Sequence, residues 1–238
     1  MERREQIRES RWDAAGRQLA NPSGVAGWIM GGIMRLANRA PIRMAIDALA
    51  LQPTDIALDL GCGPGAGIAA LAKVCTGVHG VDRSPTMVRA ALRLNRRAVA
   101  AGIVQIVQGD FACLPLADAS VDKVLAANVL YFWDDAPAII AEIGRVLRPG
   151  GRLVLYVTDR HAMQRWKFAS NATHRHFDSA SLRETLVAGG IPPEDVAIRA
   201  VNFTGVGGWL ATCALNGSAP AALTMRPKIG PTTAVSVT

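Results

Sequence analysis

Long uninterrupted hydrophobic runs are missing from this 238-residue chain, although half of its residues are hydrophobic. The longest apolar candidate, "VAGWIMGGIM" (25–34), is far shorter than the ~20 residues a membrane span needs, so no transmembrane segment is expected. Cysteine is scarce: Cys62, Cys75, Cys113 and Cys213 show no C-x-x-C spacing. That excludes a disulfide framework and predicts reduced, buried thiols in a cytoplasmic protein. The charged N-terminus lacks the apolar core of a secretory leader, and none is expected. His174-x-His176 has no nearby acid or cysteine partner, so no metal site is predicted. Acids are outnumbered, 19 against 26 Lys and Arg, for a formal charge of +7. The basic residues are interleaved with acids or spaced helically, as in "RAALRLNRR", which reads as a solvated helix face. With no Asn-Pro-Pro-Tyr type motif and no separate recognition domain, no nucleic-acid partner is expected.

The length suits one sizeable domain. From residue 54 to about 158, short apolar runs alternate with helical patterns. "IALDL" (56–60), "GVHGVD" (77–82), "IVQIVQGD" (103–110), "VDKVLAAN" (121–128) and "RLVLYVT" (152–158) read as strands. Ser84-Pro85 starts a helix running to about Ala101, and Asp134-Asp135 caps a helix closed by "RPGG" (148–151). Strand–helix–strand repeated with short connections predicts an open α/β sheet of parallel strands, with helices on both faces. Residues 159–177 have no clean period. A helix follows, capped by Asp178 or Ser179, and then two strands, "EDVAIRAVNF" (194–203) and "GGWLATCAL" (207–215), joined tightly enough to pair antiparallel. The expected divisions are a helical cap or lid over 1–50, a cofactor-binding domain over 51–216 with a substrate-shaping insert at 159–177, and a mobile tail over 217–238.

Ligands of such sheets bind beyond the carboxyl ends of the strands. After the first strand comes "GCGPGAG", whose bare backbone lets a ligand lie close. Asp82 follows the second strand at the spacing where a carboxylate holds both hydroxyls of a ribose. Asp110-Phe111 follows the third, an acceptor and a ring suited to an adenine, and Asn128 follows the fourth. A glycine-rich turn with a downstream acid also marks dinucleotide sites, and Gly61-x-Gly63-x-x-Ala66 fits the relaxed form of that motif. Against an NAD-linked oxidoreductase stand three features. Asp59 puts negative charge near a would-be pyrophosphate, Pro64 removes a useful N–H, and the closing strands lack the symmetry of a dinucleotide fold.

"LDLGCGPG", "GVDRSPTMVRAA", "GDFACLPLADASVDKVLAANVLYFWDD" and "AEIGRVLRPGGRLVLY", in this order over roughly residues 50 to 158, resemble the class I S-adenosylmethionine-dependent methyltransferases. The nearest subgroup is that of ubiquinone/menaquinone-biosynthesis and other small-molecule enzymes. The resemblance implies a Rossmann-like, seven-stranded, mostly parallel sheet with an antiparallel last strand. It places Asp59, Gly61, Gly63 and Gly65 around the methionine part of S-adenosylmethionine and Asp82 on the ribose. Arg83, Asp110 and Phe111 fall around the adenine, with Phe111 equally readable as simple core. Asn128 falls at the edge of the reaction centre. S-adenosylhomocysteine would be the product.

A sulfonium methyl is already activated, so the protein's task is to align an acceptor with it; an acceptor that must lose a proton also needs a base. Candidates on the acceptor side are Tyr131, His161, His174 and His176. Trp28, Ile29, Met30, Ile33, Met34 and Leu36 suit either a lid over an apolar or aromatic small-molecule acceptor or plain packing onto the sheet. With Arg35, Arg39 and Arg43, segment 21–43 also allows peripheral contact with a membrane surface and a lipid or quinone acceptor. A non-catalytic binding module remains the rival of another kind, because these motifs carry cofactor binding and not chemistry.

Overall fold

The computed structural model describes residues 38–166 and 175–214. Seven strands form one sheet: β1 (Ile56–Leu60), β2 (Gly77–Asp82), β3 (Val104–Gln108), β4 (Val121–Ala127), β5 (Leu147–Thr158), β6 (Val196–Phe203) and β7 (Val206–Ala214). Their order is β3-β2-β1-β4-β5-β7-β6. The first five are parallel to one another, and β7 runs antiparallel to both β5 and β6. This is the expected mostly parallel, seven-stranded sheet with an antiparallel closing hairpin. Its turn, Thr204-Gly205, has two positive φ angles, 49° and 86°, the backbone that joins twisted strands in two residues.

The central strands are buried on both faces and their side chains alternate between two cores. Leu58, Leu60, Leu153, Leu155 and Val157 meet Ile139, Ile140 and Ile143 of α5 (Ala136–Val146) and Leu182 and Leu186 of α7 (Ser179–Ala188). On the other face Ala57, Val78, Val154 and Tyr156 meet α1 (Arg39–Leu49), α2 (Ala66–Leu71) and α3 (Pro85–Leu94). The caps are local. Ser84 Oγ accepts from Met87 N–H at 3.3 Å and Asp135 from Ala138 N–H at 3.1 Å. Asp178 and Ser181 close a reciprocal capping box.

Four expectations change. The helix drawn from Ser84 to Ala101 breaks at Asn95 into α3 and α4 (Arg96–Ala100), because the Asn95 amide turns inward to Gly65 O (3.1 Å) and Ala91 O (2.9 Å). "RPGG" lies within the span of β5, where the β4–β5 register shifts between Val121 and Lys123. The irregular 159–177 stretch contains α6 (Arg160–Gln164), capped by Asp159. Cys113 is exposed, while Cys62, Cys75 and Cys213 are buried. The expected lid residues, Trp28 to Leu36, fall outside the described residues, as do His174 and the tail. Among the described residues no helix is long and apolar enough to cross a membrane.

Candidate active site

Strand order reverses at β1, with β2 on one side and β4 on the other, so the crevice lies at the carboxyl ends of these strands. The turn after β1 is stapled to β2: Gly61 N–H donates to Val81 O at 2.8 Å and Cys62 N–H to the same oxygen at 3.2 Å. Gly61 has a φ of 70°, and a side chain there would overlap Val129. Gly63 has a φ of 51° and nothing within 4 Å of where its Cβ would stand. The first glycine is required by packing; the second opens onto space. Gly65 ends the turn, its carbonyl held by Asn95.

Two buried carboxylates flank this hollow. Asp59 shares the α2 face of β1 and accepts from Ile68 N–H. Burial, reinforced by Asp82, raises its pKa to about 7. Asp82 accepts Gly63 N–H on one oxygen and Ser84 N–H on the other, both at 2.8 Å, which leaves a further lone pair on each. Burial also raises its pKa, against those two N–H groups and Arg83. Among the described residues no lysine or arginine pairs with Asp59.

Beside the hollow, Arg83 spans three loops. Its guanidinium sits over the Phe111 ring, 4.8 Å from the centroid. It pairs with Asp110 at 3.2 Å and Asp134 at 3.5 Å, and donates to Phe132 O at 3.4 Å. Phe111 is 3% exposed and belongs to the core; Asp110 is exposed.

On the other flank, Asn128 takes a left-handed backbone (φ 55°), which asparagine tolerates better than most residues. Its Oδ1 accepts from the Tyr131 hydroxyl (2.7 Å) and the Thr158 hydroxyl (3.3 Å), and its amide donates to Asn38 Oδ1 (2.9 Å). Thr158 N–H donates to the Tyr131 oxygen. Tyr131 is buried and its phenol pKa is pushed up, chiefly by burial, so the hydroxyl is a fixture of this network and a poor base.

The structure therefore gathers Asp59, Gly61, Gly63, Gly65 and Asp82 at the carboxyl ends of β1 and β2, with Arg83, Asp110 and Phe111 on one side and Asn128 and Tyr131 on the other. His161 is exposed on α6, and its N–H donates to Asp159 at 2.9 Å. His176 is half-buried in the segment whose Arg175 N–H donates to Tyr131 O at 3.2 Å. Thr158, Asn38 and Asn95 escape sequence reasoning. Thr158 was within reach, since it ends the fifth strand as Asn128 follows the fourth. Among the described residues no group of acids, histidines and cysteines is arranged to hold a metal.

A bare backbone turn beside two buried carboxylates, one of them paired with no lysine or arginine, repels a pyrophosphate and attracts a cation. Free lone pairs on Asp82 suit the vicinal hydroxyls of a ribose. A sulfonium nucleoside fits these residues; a dinucleotide does not.

A family model described as a methyltransferase domain matches residues 58–155. An uncharacterized methyltransferase of Bacillus subtilis, YdaC, is 32% identical over 136 residues, 56% of this chain and 73% of that protein. A Mycolicibacterium smegmatis protein named for S-adenosylmethionine-dependent methyl transfer is 35% identical over 142 residues, 58% of this chain and 52% of that one. Among solved structures, a chain from the complex between the Haloferax volcanii Trm112 methyltransferase activator and a methyltransferase superposes with a TM-score of 0.68. It is 19% identical, covering 87% of this chain and 98% of the other, and shows the fold alone. The chain spans between 34% and 73% of the length of the first curated relatives it matches. Family and fold agree: the chain belongs to the class I S-adenosylmethionine-dependent methyltransferases, and S-adenosylmethionine is its cofactor.

Proposed function

We propose that the chain transfers a methyl group from S-adenosylmethionine to a small, apolar or aromatic acceptor, on oxygen, nitrogen or carbon. The observation that carries the reading is the turn left open at Gly63 beside two buried acids, Asp59 and Asp82. Once bound, the cofactor supplies a methyl group already activated on a sulfonium. The chain supplies placement. Asp59 and the turn of Gly61, Gly63 and Gly65 hold the methionine part, and Asp82 holds the ribose hydroxyls. Arg83 and Asp110 border the adenine, with Phe111 beneath them. Asn128, fixed by Tyr131, Thr158 and Asn38, borders the acceptor.

Alignment of the acceptor can supply much of the rate enhancement. Where a proton must leave, His161 and His176 are the described candidates for the base, and His174 lies outside the described residues. We assign residues 51–216 to the cofactor-binding unit, 1–50 to a cap over the acceptor, 159–177 to the acceptor wall and 217–238 to a tail. The described part of that segment, α1, packs across β4 and β5 in the core of the sheet. Three buried thiols suit a reducing compartment such as the cytoplasm.

The test is titration calorimetry with S-adenosylhomocysteine, followed by labelled methyl transfer to a panel of phenols, polyketides and prenylated quinones. Binding with transfer to one class supports the reading. Binding without transfer to any acceptor supports a non-catalytic module. Single replacement of His161 and His176 tests the base, and two fully active variants remove both from that role.

A further inference from the structure

At the Asn128 flank of the site, one contact fixes the direction in which every hydrogen bond is donated. Thr158 N–H can only donate, and it points at the Tyr131 oxygen, so the Tyr131 proton goes to Asn128 Oδ1, 2.7 Å away. That oxygen also accepts from the Thr158 hydroxyl at 3.3 Å. The Asn128 amide nitrogen therefore faces Asn38, whose Oδ1 takes one of its two protons at 2.9 Å. What is left over is of one kind: the second Asn128 N–H and both Asn38 N–H groups, all donors. Asn38 stands at the start of α1, where asparagine is a favoured cap, yet its side chain makes no cap bond there. Two exposed arginines border the same residues. Arg39 directly follows Asn38, and Arg175 N–H donates to the Tyr131 carbonyl at 3.2 Å. Among the described residues neither arginine side chain has an ion pair. The acids beside this flank are already held, Asp159 by Trp209 Nε1 and His161 N–H, and Asp178 by Arg160.

We infer that this flank recognises an anionic oxygen on the acceptor, so that the molecule methylated is an apolar or aromatic acid. Its carboxylate or phosphate meets the spare N–H groups of Asn128 and Asn38, and Arg39 and Arg175 supply the opposite charge. Hydrogen bonds to an ionised group are about twice as strong as neutral ones, and a rim of donors alone matches a group that only accepts. Arg39 and Arg175 are thus specificity-determining residues for the acceptor. This rests on the methyl-transfer reading above and narrows its acceptor. The cofactor's own amino-acid carboxylate has the same chemistry, so the two sources must be separated by experiment.

The test uses the full chain loaded with S-adenosylhomocysteine, as wild type, Arg39→Gln and Arg175→Gln, after thermal melting shows each variant folded. The probes are benzoate, cinnamate and decyl phosphate, set against benzamide, cinnamamide and decanol. Calorimetry is expected to show at least one acid bound about tenfold tighter than its neutral partner by the wild type, and a smaller margin in each variant. No acid bound, no margin in the wild type, or a margin unchanged in both variants overturns the inference. The same proteins are titrated with S-adenosylhomocysteine and with 5′-methylthioadenosine, which lacks the amino-acid part. Affinities that match the wild type for both nucleosides assign the arginines to the acceptor. A loss for S-adenosylhomocysteine alone gives them to the cofactor's carboxylate and overturns the inference. A neutral phenol or quinone methylated in preference to every acid overturns this inference and leaves methyl transfer standing. Failure of the wild type to bind S-adenosylhomocysteine overturns the cofactor reading itself, and this inference with it.

Discussion

Gly67 owes its lack of a side chain to Asp59: a Cβ at position 67 would overlap the Asp59 Oδ2 oxygen and crowd its carboxyl carbon at 3.0 Å. The acid and the glycine are one device, a helix brought close enough for Ile68 N–H to reach a buried carboxylate. Gly67→Ala is expected to displace Asp59, costing about 1–3 kcal/mol of stability as overpacking does and weakening S-adenosylhomocysteine. Gly63→Ala meets no protein atom and bears only the strain of a left-handed backbone, about 1–2 kcal/mol. Its main effect falls on affinity, because it fills the hollow. Melting and calorimetry on the two variants separate the effects.

Asp59 makes the ligand-free protein pH-sensitive. Its carboxyl keeps its proton to about pH 7 when folded and gives it up near 3.8 when unfolded. Between these values the folded state binds more protons, so stability falls as pH rises through this window, by an amount on the order of 4 kcal/mol. Burial of Asp82 acts in the same direction. A cationic ligand favours the ionised acid, so binding below about pH 7 releases a proton and affinity rises with pH through that value. Calorimetry in two buffers of different ionisation enthalpy reads the released proton, and Asp59→Asn is expected to abolish it.

Tyr131→Phe is expected to leave Thr158 N–H buried without its acceptor and to free Asn128, at a cost of about 1–3 kcal/mol. If the hydroxyl only positions Asn128, kcat falls without change in the shape of the pH–rate profile. Loss of a titrating limb from that profile would instead identify Tyr131 as the base.

Arg145 anchors the loop that leads away from Asp110 and Phe111. It forms a two-point pair with Glu142 (2.7 and 2.8 Å), meets Asp118 at 2.6 Å, and donates to Leu114 O and Leu116 O. Arg145→Ala is expected to cost about 2–4 kcal/mol, somewhat under the loss of a fully buried pair. Arg145→Lys should recover little, because a single ammonium cannot reproduce the fork. Chemical denaturation measures both.

What was legible in the sequence is what repeats locally. β2 runs over Gly77–Asp82, the span its apolar pattern gives, and Asp82 and Asn128 fall at strand ends as strand spacing requires. Long-range polar contacts were not legible. Nothing near Asn95 says that its amide will turn to Gly65, thirty residues away, so the helix break was missed. The Arg83–Phe111 stack joins residues after two different strands, and only their meeting shows that Phe111 is buried with a guanidinium over its ring. Arg145 reads as one more charge on a helix until the loop carrying Leu114 and Leu116 folds back onto it.

The most direct measurement is the affinity of S-adenosylhomocysteine for the wild type and for Asp82→Asn, with NAD as a control ligand. Asparagine keeps an acceptor for one of the two turn N–H groups and removes the charge. The account predicts tight binding by the wild type, none of NAD, and a loss of about tenfold or more in the variant, as expected for hydrogen bonds to a charged group. Equal affinities in the two proteins, or NAD bound in place of the nucleoside, would contradict it.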